Sequence, residues 1–363
     1  MTIFNAKKKR EFYRLDEIIK LNADYNLIYG ERSNGKSFAV KEECLKHFLE
    51  TGGETAIVRR YDTEISKFKL ERYIADTSLY LSEWSGGEYN EMYVYSGQIY
   101  VCFKDSDGKR TKSKRWAYSF AINLAQNYSS NEFPLVDRII LEEFISLDGA
   151  YLPNELFNFT HIVSTIARRR DIRAYLLANS ISRLSPYWRE YGVESFVPNQ
   201  EQGTIGLIER ETENGIQRVA VEYCENTEGR SRMFAGSRED MINKGKWLTK
   251  EMPHLPFEYD KAEKLYAFVV EYNTAKFWVE YLINGSYYCL YVTPKTTEIK
   301  PETRVVSNRS SADPLYSCGF RALNQKERLI FDMIKNGKVF YCDNMTGTEF
   351  TECIKNLNKI AIF

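Results

Sequence analysis

Eight consecutive residues, Gly30, Glu31, Arg32, Ser33, Asn34, Gly35, Lys36 and Ser37, carry the densest chemistry in the sequence. They fit the spacing G-x-x-x-x-G-K-[S/T], in which glycines let successive backbone N–H groups turn inward on phosphate oxygens. Lys36 is placed to reach the β and γ phosphates of a nucleoside triphosphate such as ATP, and the Ser37 hydroxyl to meet a Mg2+ ion. The loop stands between an apolar run, YNLIY, and residues 36–49, whose Phe38, Val40, Leu45 and Phe48 are spaced as one face of a helix. A helix starting there aims free N–H groups and its positive dipole end at the same phosphates.

Such a site needs an acid at the tip of a neighbouring strand. Residues 136–141 (VDRIIL) read as that strand and lead directly into Glu142 and Glu143. Glu142 is expected to coordinate the metal, directly or through water, and Glu143 to polarise an attacking water. Their roles are expected to separate because adjacent strand residues point to opposite sides. The usual first acid is Asp, so Glu142 is one methylene longer. That predicts a water-mediated contact or a shifted backbone. The plainer alternative is two solvated glutamates ending a strand. A pair of acids favours hydrolysis coupled to motion over transfer to an acceptor, because a kinase must exclude the water that a second glutamate activates.

Two further groups are candidates. Arg168, Arg169 and Arg170 end a helix expected over 154–167, where basic side chains also suit the helix dipole. In ring ATPases such an arginine enters the neighbouring subunit's site and stabilises charge on the transferring phosphoryl. Asn179 closes a strand expected over 172–178 and could sense the γ phosphate, or simply terminate the strand.

The elements that must position these groups follow from pattern. Strand, glycine loop, helix and strand (55–59) in succession begin a right-handed parallel βαβ unit. Residues 90–123 alternate polar and apolar around Ser96-Gly97 and Asp107-Gly108, and 204–224 around Asn214-Gly215, as hairpins do. A charged, glycine-bearing stretch to Tyr259 reads as a helical linker. Beyond it come three aromatic antiparallel strands from Leu265, a helix near 325–335, a strand at 339–342 and a last helix from about Thr348.

With 363 residues, 43% hydrophobic and 14% aromatic, the chain suits two domains and is not composed like a disordered protein. Its zero formal charge leaves nucleic-acid contact to local clusters. The scattered cysteines form no C-x-x-C pair and suit reduced thiols rather than a zinc site. No signal peptide or membrane-length apolar run is read, so a soluble cytosolic protein is expected.

GERSNGKS, the following IVRRY, the block WAYSFAINLAQNYSSNEFPLVDRIILEEFI, then YLPNELFNF and LLANSISRLSPYW resemble the encapsidation (DNA-packaging) ATPases of small short-tailed bacteriophages. The resemblance spans about residues 25–190. These are additional-strand, catalytic-glutamate P-loop motors related to HerA-like translocases. The resemblance implies an α/β fold with a P-loop ATPase domain over 1–225, a linker over 226–258 and, over 259–363, an α+β domain similar to an RNase H-like nuclease that has lost its catalytic acids. It implies ATP and Mg2+, with Lys36 and Ser37 at the nucleotide, Glu142 at the metal, Glu143 catalytic and Asn179 as sensor. The arginine acting in trans falls near 167–170, with Arg169 preferred and Arg168 and Arg170 in reserve. The partners implied are double-stranded DNA, further copies in a ring of five, the portal of an empty capsid in the host cytoplasm, and, left open, a packaging RNA.

The basic run KDSDGKRTKSKR offers Lys109, Arg110, Lys112, Lys114 and Arg115 as DNA contacts, or as merely solvated charge; Arg59 and Arg60 are a second basic candidate. In the C-terminal part only Glu271 and Asp343 suggest nuclease acids, so no nuclease activity is expected. A cellular P-loop helicase or nucleotide kinase, and a nucleic-acid-binding protein with a relic P-loop, are the competing readings.

Overall fold

The computed structural model describes residues 2–5, 12–31, 34–146, 151–178, 185–213, 215–225, 251–272, 275–295, 297–309, 311–319 and 325–360. Arg32, Ser33, Asn179 and residues 226–250 of the expected linker lie outside them. The described chain groups into two compact units, one from 2–146, 151–178 and 199–225, the other from 185–198 and 251–360. Residues 185–198, read from sequence as part of the first 225, thus pack with the second unit.

The first unit is a ten-stranded sheet made of β1 (Thr2–Asn5), β2 (Tyr25–Tyr29), β3 (Glu54–Arg59), β4 (Glu91–Tyr95), β5 (Gln98–Lys104), β6 (Arg110–Ala121), β7 (Val136–Glu142), β8 (Arg173–Ala178), β9 (Thr204–Thr212) and β10 (Gly215–Tyr223). Their spatial order is β1-β9-β10-β2-β8-β7-β3-β6-β5-β4. The six strands from β10 to β6 run parallel, and antiparallel strands flank them. Strands covered on both faces must be apolar along their middles, and Leu27–Tyr29 of β2, Ala56–Val58 of β3, Ile139–Leu141 of β7 and Ala174–Ala178 of β8 are apolar and buried. The hairpins expected near 90–123 and 204–224 form β4–β5–β6 and β9–β10.

The connections carry α1 (Asp16–Ile19), α2 (Lys36–Thr51), α3 (Lys67–Ser78), α4 (Leu81–Trp84) and α5 (Glu155–Ala167). Helix α2 buries Val40, Cys44, Leu45 and Phe48, and stops at Gly52, whose φ of 80° suits a residue without Cβ and whose N–H caps the Phe48 carbonyl. Because α2 joins β2 to β3 while β8 and β7 lie between them, it runs back over the sheet and only its first turn lies at the carboxyl-end crevice of the parallel strands. That crevice is where open α/β sheets bind ligands.

In the second unit, α6 (Pro186–Glu190) is followed by β11 (Glu263–Tyr272), β12 (Ala275–Asn284), β13 (Tyr287–Pro294), β14 (Val305–Ser307), β15 (Tyr316–Cys318), α7 (Gln325–Lys335), β16 (Val339–Tyr341) and α8 (Asn344–Ile360). The sheet order is β15-β14-β11-β12-β13-β16. Phe268, Val270, Phe277, Val279, Leu290 and Val292 alternate onto one face and pack with Phe350, Cys353, Ile354 and Leu357 of α8. Helix α8 begins four residues before the expected Thr348, because the Asp343 carboxylate accepts the Thr346 N–H at 2.7 Å and caps it. Among the described residues no helix is long and apolar enough to cross a membrane.

Candidate active site

The glycine loop leaves β2 and enters α2 at the carboxyl edge of the sheet. Gly30 has φ 149°, and a Cβ there would lie 3.1 Å from the Cys224 Cβ; Gly35 has φ 94°. Both positions exclude a side chain for a stated reason, one by crowding and both by backbone. The segment before β2 braces the loop: Tyr13 N–H donates to the Asn34 carbonyl at 2.8 Å, and its hydroxyl to Glu222 on β10 at 2.6 Å.

Lys36 is 2% exposed. Its ammonium donates to the Glu31 carbonyl and to Asn34 Oδ1, the latter at 3.1 Å. Both acceptors are neutral, although the cation is buried. Burial pushes the Lys36 pKa below its ordinary value, against the pull of Glu142, Glu31 and Glu222. The Asn34 side-chain nitrogen is buried with no hydrogen-bond acceptor among the described residues. A buried ammonium and an orphan donor in one loop form a cradle for an anion.

Glu142 ends β7, two strands from β2 across β8, and is buried. The inserted β8 is the additional strand that the resemblance implies. Ser37 Oγ donates to Glu142 Oε2 at 3.0 Å, so the longer carboxylate reaches the loop hydroxyl directly. This pair of hard oxygens facing each other at the anion cradle fits a Mg2+ ion. The other oxygen, Oε1, accepts from the Tyr73 hydroxyl on α3 at 3.0 Å. Burial and the neighbouring Glu142 keep that phenol protonated, well above its usual pKa.

Glu143 differs from expectation. It lies outside the strand, with φ 58°, so it parts from Glu142 through a left-handed turn and not through strand alternation. A non-glycine residue held there costs about 1–2 kcal/mol, as residues at functional sites often do. The turn is held from both sides. Phe144 N–H donates to Leu177 at 3.1 Å, and Arg60 donates to the Glu143 carbonyl at 3.0 Å. The half-buried Glu143 carboxylate accepts no hydrogen bond among the described residues.

Arg60 in turn forms a two-pronged ion pair with Glu155, the first residue of α5, at 2.8 and 3.0 Å. Their side chains are 11% and 1% exposed. Glu155→Ala would deprive that buried guanidinium of its carboxylate partner, and we expect about 3–5 kcal/mol lost from urea unfolding of the full chain. A loss under 1 kcal/mol would show the pair to be dispensable. Neither Tyr73 nor Glu155 was singled out from sequence. The spacing Leu70, Tyr73, Ile74, Thr77 does mark α3 as amphipathic, but nothing in it points to β7.

The arginine triplet separates by partner. Arg168 pairs with Glu132 at 2.7 Å, and Arg170 donates to the carbonyls of Pro134, Phe133 and Ile166. Arg169 is exposed, has φ 100° and makes no hydrogen bond or ion pair among the described residues. It precedes β8 at the amino end of the parallel strands. Arg138 pairs with Arg173 at that end and Glu142 with Leu177 at the other, about 13 Å apart along the strand.

The basic hairpin also divides. Arg110 pairs with Glu91 at 2.6 Å and Arg115 with Glu54 at 3.1 Å. Hydrogen bonds from Arg110 and Lys104 hold the Glu91 carboxyl down to about 2, so the Arg110 pair persists at neutral pH. Lys114 lies over the Tyr89 ring at 5.8 Å. Lys109 and Lys112 make no side-chain contact of this kind among the described residues. Among the described residues, Lys109, Lys112 and Lys114 of the five candidates form no ion pair. Arg59 lies over the Tyr73 ring at 5.2 Å.

Comparison with known proteins agrees with this architecture. Two chains of solved assemblies share the fold across nearly the whole length. One, from the bacteriophage Phi-29 viral genome packaging motor assembly, has a TM-score of 0.57 at 18% identity and covers 96% of this chain and 100% of that one. The other, from the Phi-28 gp11 DNA packaging motor, has a TM-score of 0.53 at 17% identity, covering 95% and 98%. In sequence, the DNA packaging protein of Bacillus phage phi29 is 27% identical over 183 residues, half of each chain. That of Bacillus phage B103 is 30% identical over 171 residues, 46% of this chain and 48% of the relative. The chain spans about half the length of the curated relatives it matches. A family model covers residues 7–204, which hold the glycine loop, both glutamates and the arginine triplet: the chain belongs to the podovirus DNA encapsidation protein (Gp16) family.

Proposed function

We propose that this chain hydrolyses ATP and uses the energy to move double-stranded viral DNA into a preformed capsid, as a ring of five copies at the portal. The observation that carries the hydrolytic part is the buried Lys36 ammonium with only neutral acceptors, set beside the Ser37–Glu142 pair. The names of the relatives and the family membership support the packaging part.

In this reading Lys36 turns from its loop acceptors to the β and γ phosphates, and the loop and α2 N–H groups hold their oxygens. Ser37 and Glu142 would hold a Mg2+ ion, which when bound would supply positive charge to the phosphate oxygens. Glu143, whose carboxylate accepts no hydrogen bond among the described residues, takes the proton of the attacking water. Arg169 lies a strand length from its own site, which supports service at the site of the next copy, where it stabilises the leaving phosphoryl charge. Asn179 follows β8 as the γ-phosphate sensor.

The C-terminal unit is read as an RNase H-like fold that binds nucleic acid or the portal without cutting. Five of its six strands, in the order β13-β12-β11-β14-β15, form an antiparallel meander with two parallel strands beside β11, which supports this reading, and β16 adds parallel to β13 at the other edge. Glu271 on β11 lies 3.9 Å from Arg309, whereas Asp343 follows β16, three strand spacings or about 14 Å away. Two-metal cleavage needs its acids around ions about 4 Å apart. Lys109, Lys112 and Lys114 suit sequence-independent phosphate contact.

The test is ATP turnover with and without duplex DNA across a salt series. Turnover stimulated by DNA is expected, the stimulation falling steeply with salt and the recovered duplex uncut. DNA-independent turnover, or transfer of phosphate to a small acceptor, would sink the packaging reading.

A further inference from the structure

We propose that Tyr73 is a positioning residue that fixes the Glu142 carboxylate for metal binding; the proposal rests on the ATP-hydrolysis reading above. Glu142 carries one more rotatable bond than the aspartate usual at this position, so its carboxylate has more orientations to lose on binding an ion. In this chain both oxygens are taken. Oε2 accepts from Ser37 and Oε1 from the Tyr73 hydroxyl, each at 3.0 Å. The phenol thus fixes the far oxygen and leaves the near one directed at the loop hydroxyl.

Two cations lie over the Tyr73 ring. The Lys41 ammonium lies 4.5 Å from its centroid and the Arg59 guanidinium 5.2 Å. Lys41, on α2 and buried, donates to the Tyr73 carbonyl at 2.6 Å and to Asp76 at 2.5 Å. The ring is therefore in contact with cations from the helix that carries the phosphate loop and from the end of β3. Glu142 meets Ser37 and Tyr73 at once, one through each carboxylate oxygen, so the tyrosine and the longer acid act as a pair.

The experiment compares full-length wild type, Tyr73→Phe, Glu142→Asp and the double variant. Tyr73→Phe keeps the ring and its cations and removes one hydroxyl. The readouts are affinity for a fluorescent ATP analogue in chelator, Mn2+ titration of the nucleotide complex by electron paramagnetic resonance, and the Mg2+ dependence of turnover. Tyr73→Phe is expected to leave metal-free nucleotide affinity within about twofold and to weaken Mn2+ binding about tenfold, the scale of one hydrogen bond to a charged group. The Mg2+ concentration for half-maximal turnover rises by the same factor. In the Glu142→Asp background, loss of the hydroxyl changes Mn2+ affinity by less than about twofold. Unchanged Mn2+ affinity in Tyr73→Phe, additive losses in the double variant, or an early-melting Tyr73→Phe protein would each overturn the proposal, the last by assigning the hydroxyl to the fold. A wild type that takes up no Mn2+–nucleotide would instead remove the hydrolysis reading.

Discussion

Glu143→Gln is expected to lower DNA-stimulated ATP turnover by about 100- to 10,000-fold while nucleotide affinity stays near that of wild type. The substitution keeps side-chain shape and removes only the ability to accept a proton. It does not disturb what places the residue. The left-handed turn at Glu143 is held by main-chain contacts, the Arg60 bond to its carbonyl and the Phe144 N–H to Leu177, neither of which involves the carboxylate. The nucleotide contacts belong to other residues, Lys36 and the loop. Steady-state turnover and equilibrium binding of a fluorescent nucleotide measured on the same preparation separate the two effects. Equal turnover in variant and wild type would take Glu143 out of its role, and a parallel loss of binding would make it structural.

Arg169→Ala is expected to lose about 1,000-fold or more in turnover, the scale of a transition-state arginine, with little effect on stability. The stability expectation follows from its neighbours: Arg168 and Arg170 make the hydrogen bonds that tie this corner to residues 131–134, and Arg169 makes no hydrogen bond or ion pair among the described residues. Action in trans has its own signature. Mixing Arg169→Ala with Glu143→Gln places an intact glutamate beside an intact arginine wherever unlike copies adjoin in the right order. Partial recovery of turnover in the mixture is therefore expected from two nearly inactive proteins. A mixture no more active than its components would argue for service within one chain. A 1,000-fold loss in Arg168→Ala would shift the role to that residue, at the expense of its Glu132 pair.

The site was legible in the sequence to different depths. Gly30, Gly35, Lys36 and Ser37 were readable because phosphate binding by a loop is local: the chemistry requires those residue types at fixed offsets within eight positions. The acidic tip was readable because a strand ending in Glu142-Glu143 is also a local pattern. Its geometry was not. Alternation predicted that the two acids diverge within the strand, whereas β7 stops at Glu142 and the left-handed backbone of Glu143 turns it away. A positive φ at a glutamate leaves no mark in composition or spacing.

The basic groups make the same contrast. Five residues of the hairpin looked alike as a run, yet Arg110 and Arg115 are matched by Glu91 and Glu54, one on the paired strand system and one on β3. In the arginine triplet, where the resemblance preferred Arg169, Arg168 and Arg170 are engaged and Arg169 makes no hydrogen bond or ion pair among the described residues. Asp343 suggested a metal-binding acid by its place after a strand and is a helix cap.

By itself, then, the sequence determined what is encoded within a few residues: the phosphate loop, the acidic strand tip, the hairpin turns and the parallel βαβ start. The tertiary structure alone decided everything that depends on residues distant in the chain meeting in space. It inserted β8 between the loop strand and the acid strand, brought Tyr73 to Glu142 across 69 positions, and joined Arg60 to Glu155 across 95. The physical reason is range. Backbone propensity and periodicity act over one or two turns, whereas the partner of a buried charge is chosen by the packing of whole elements.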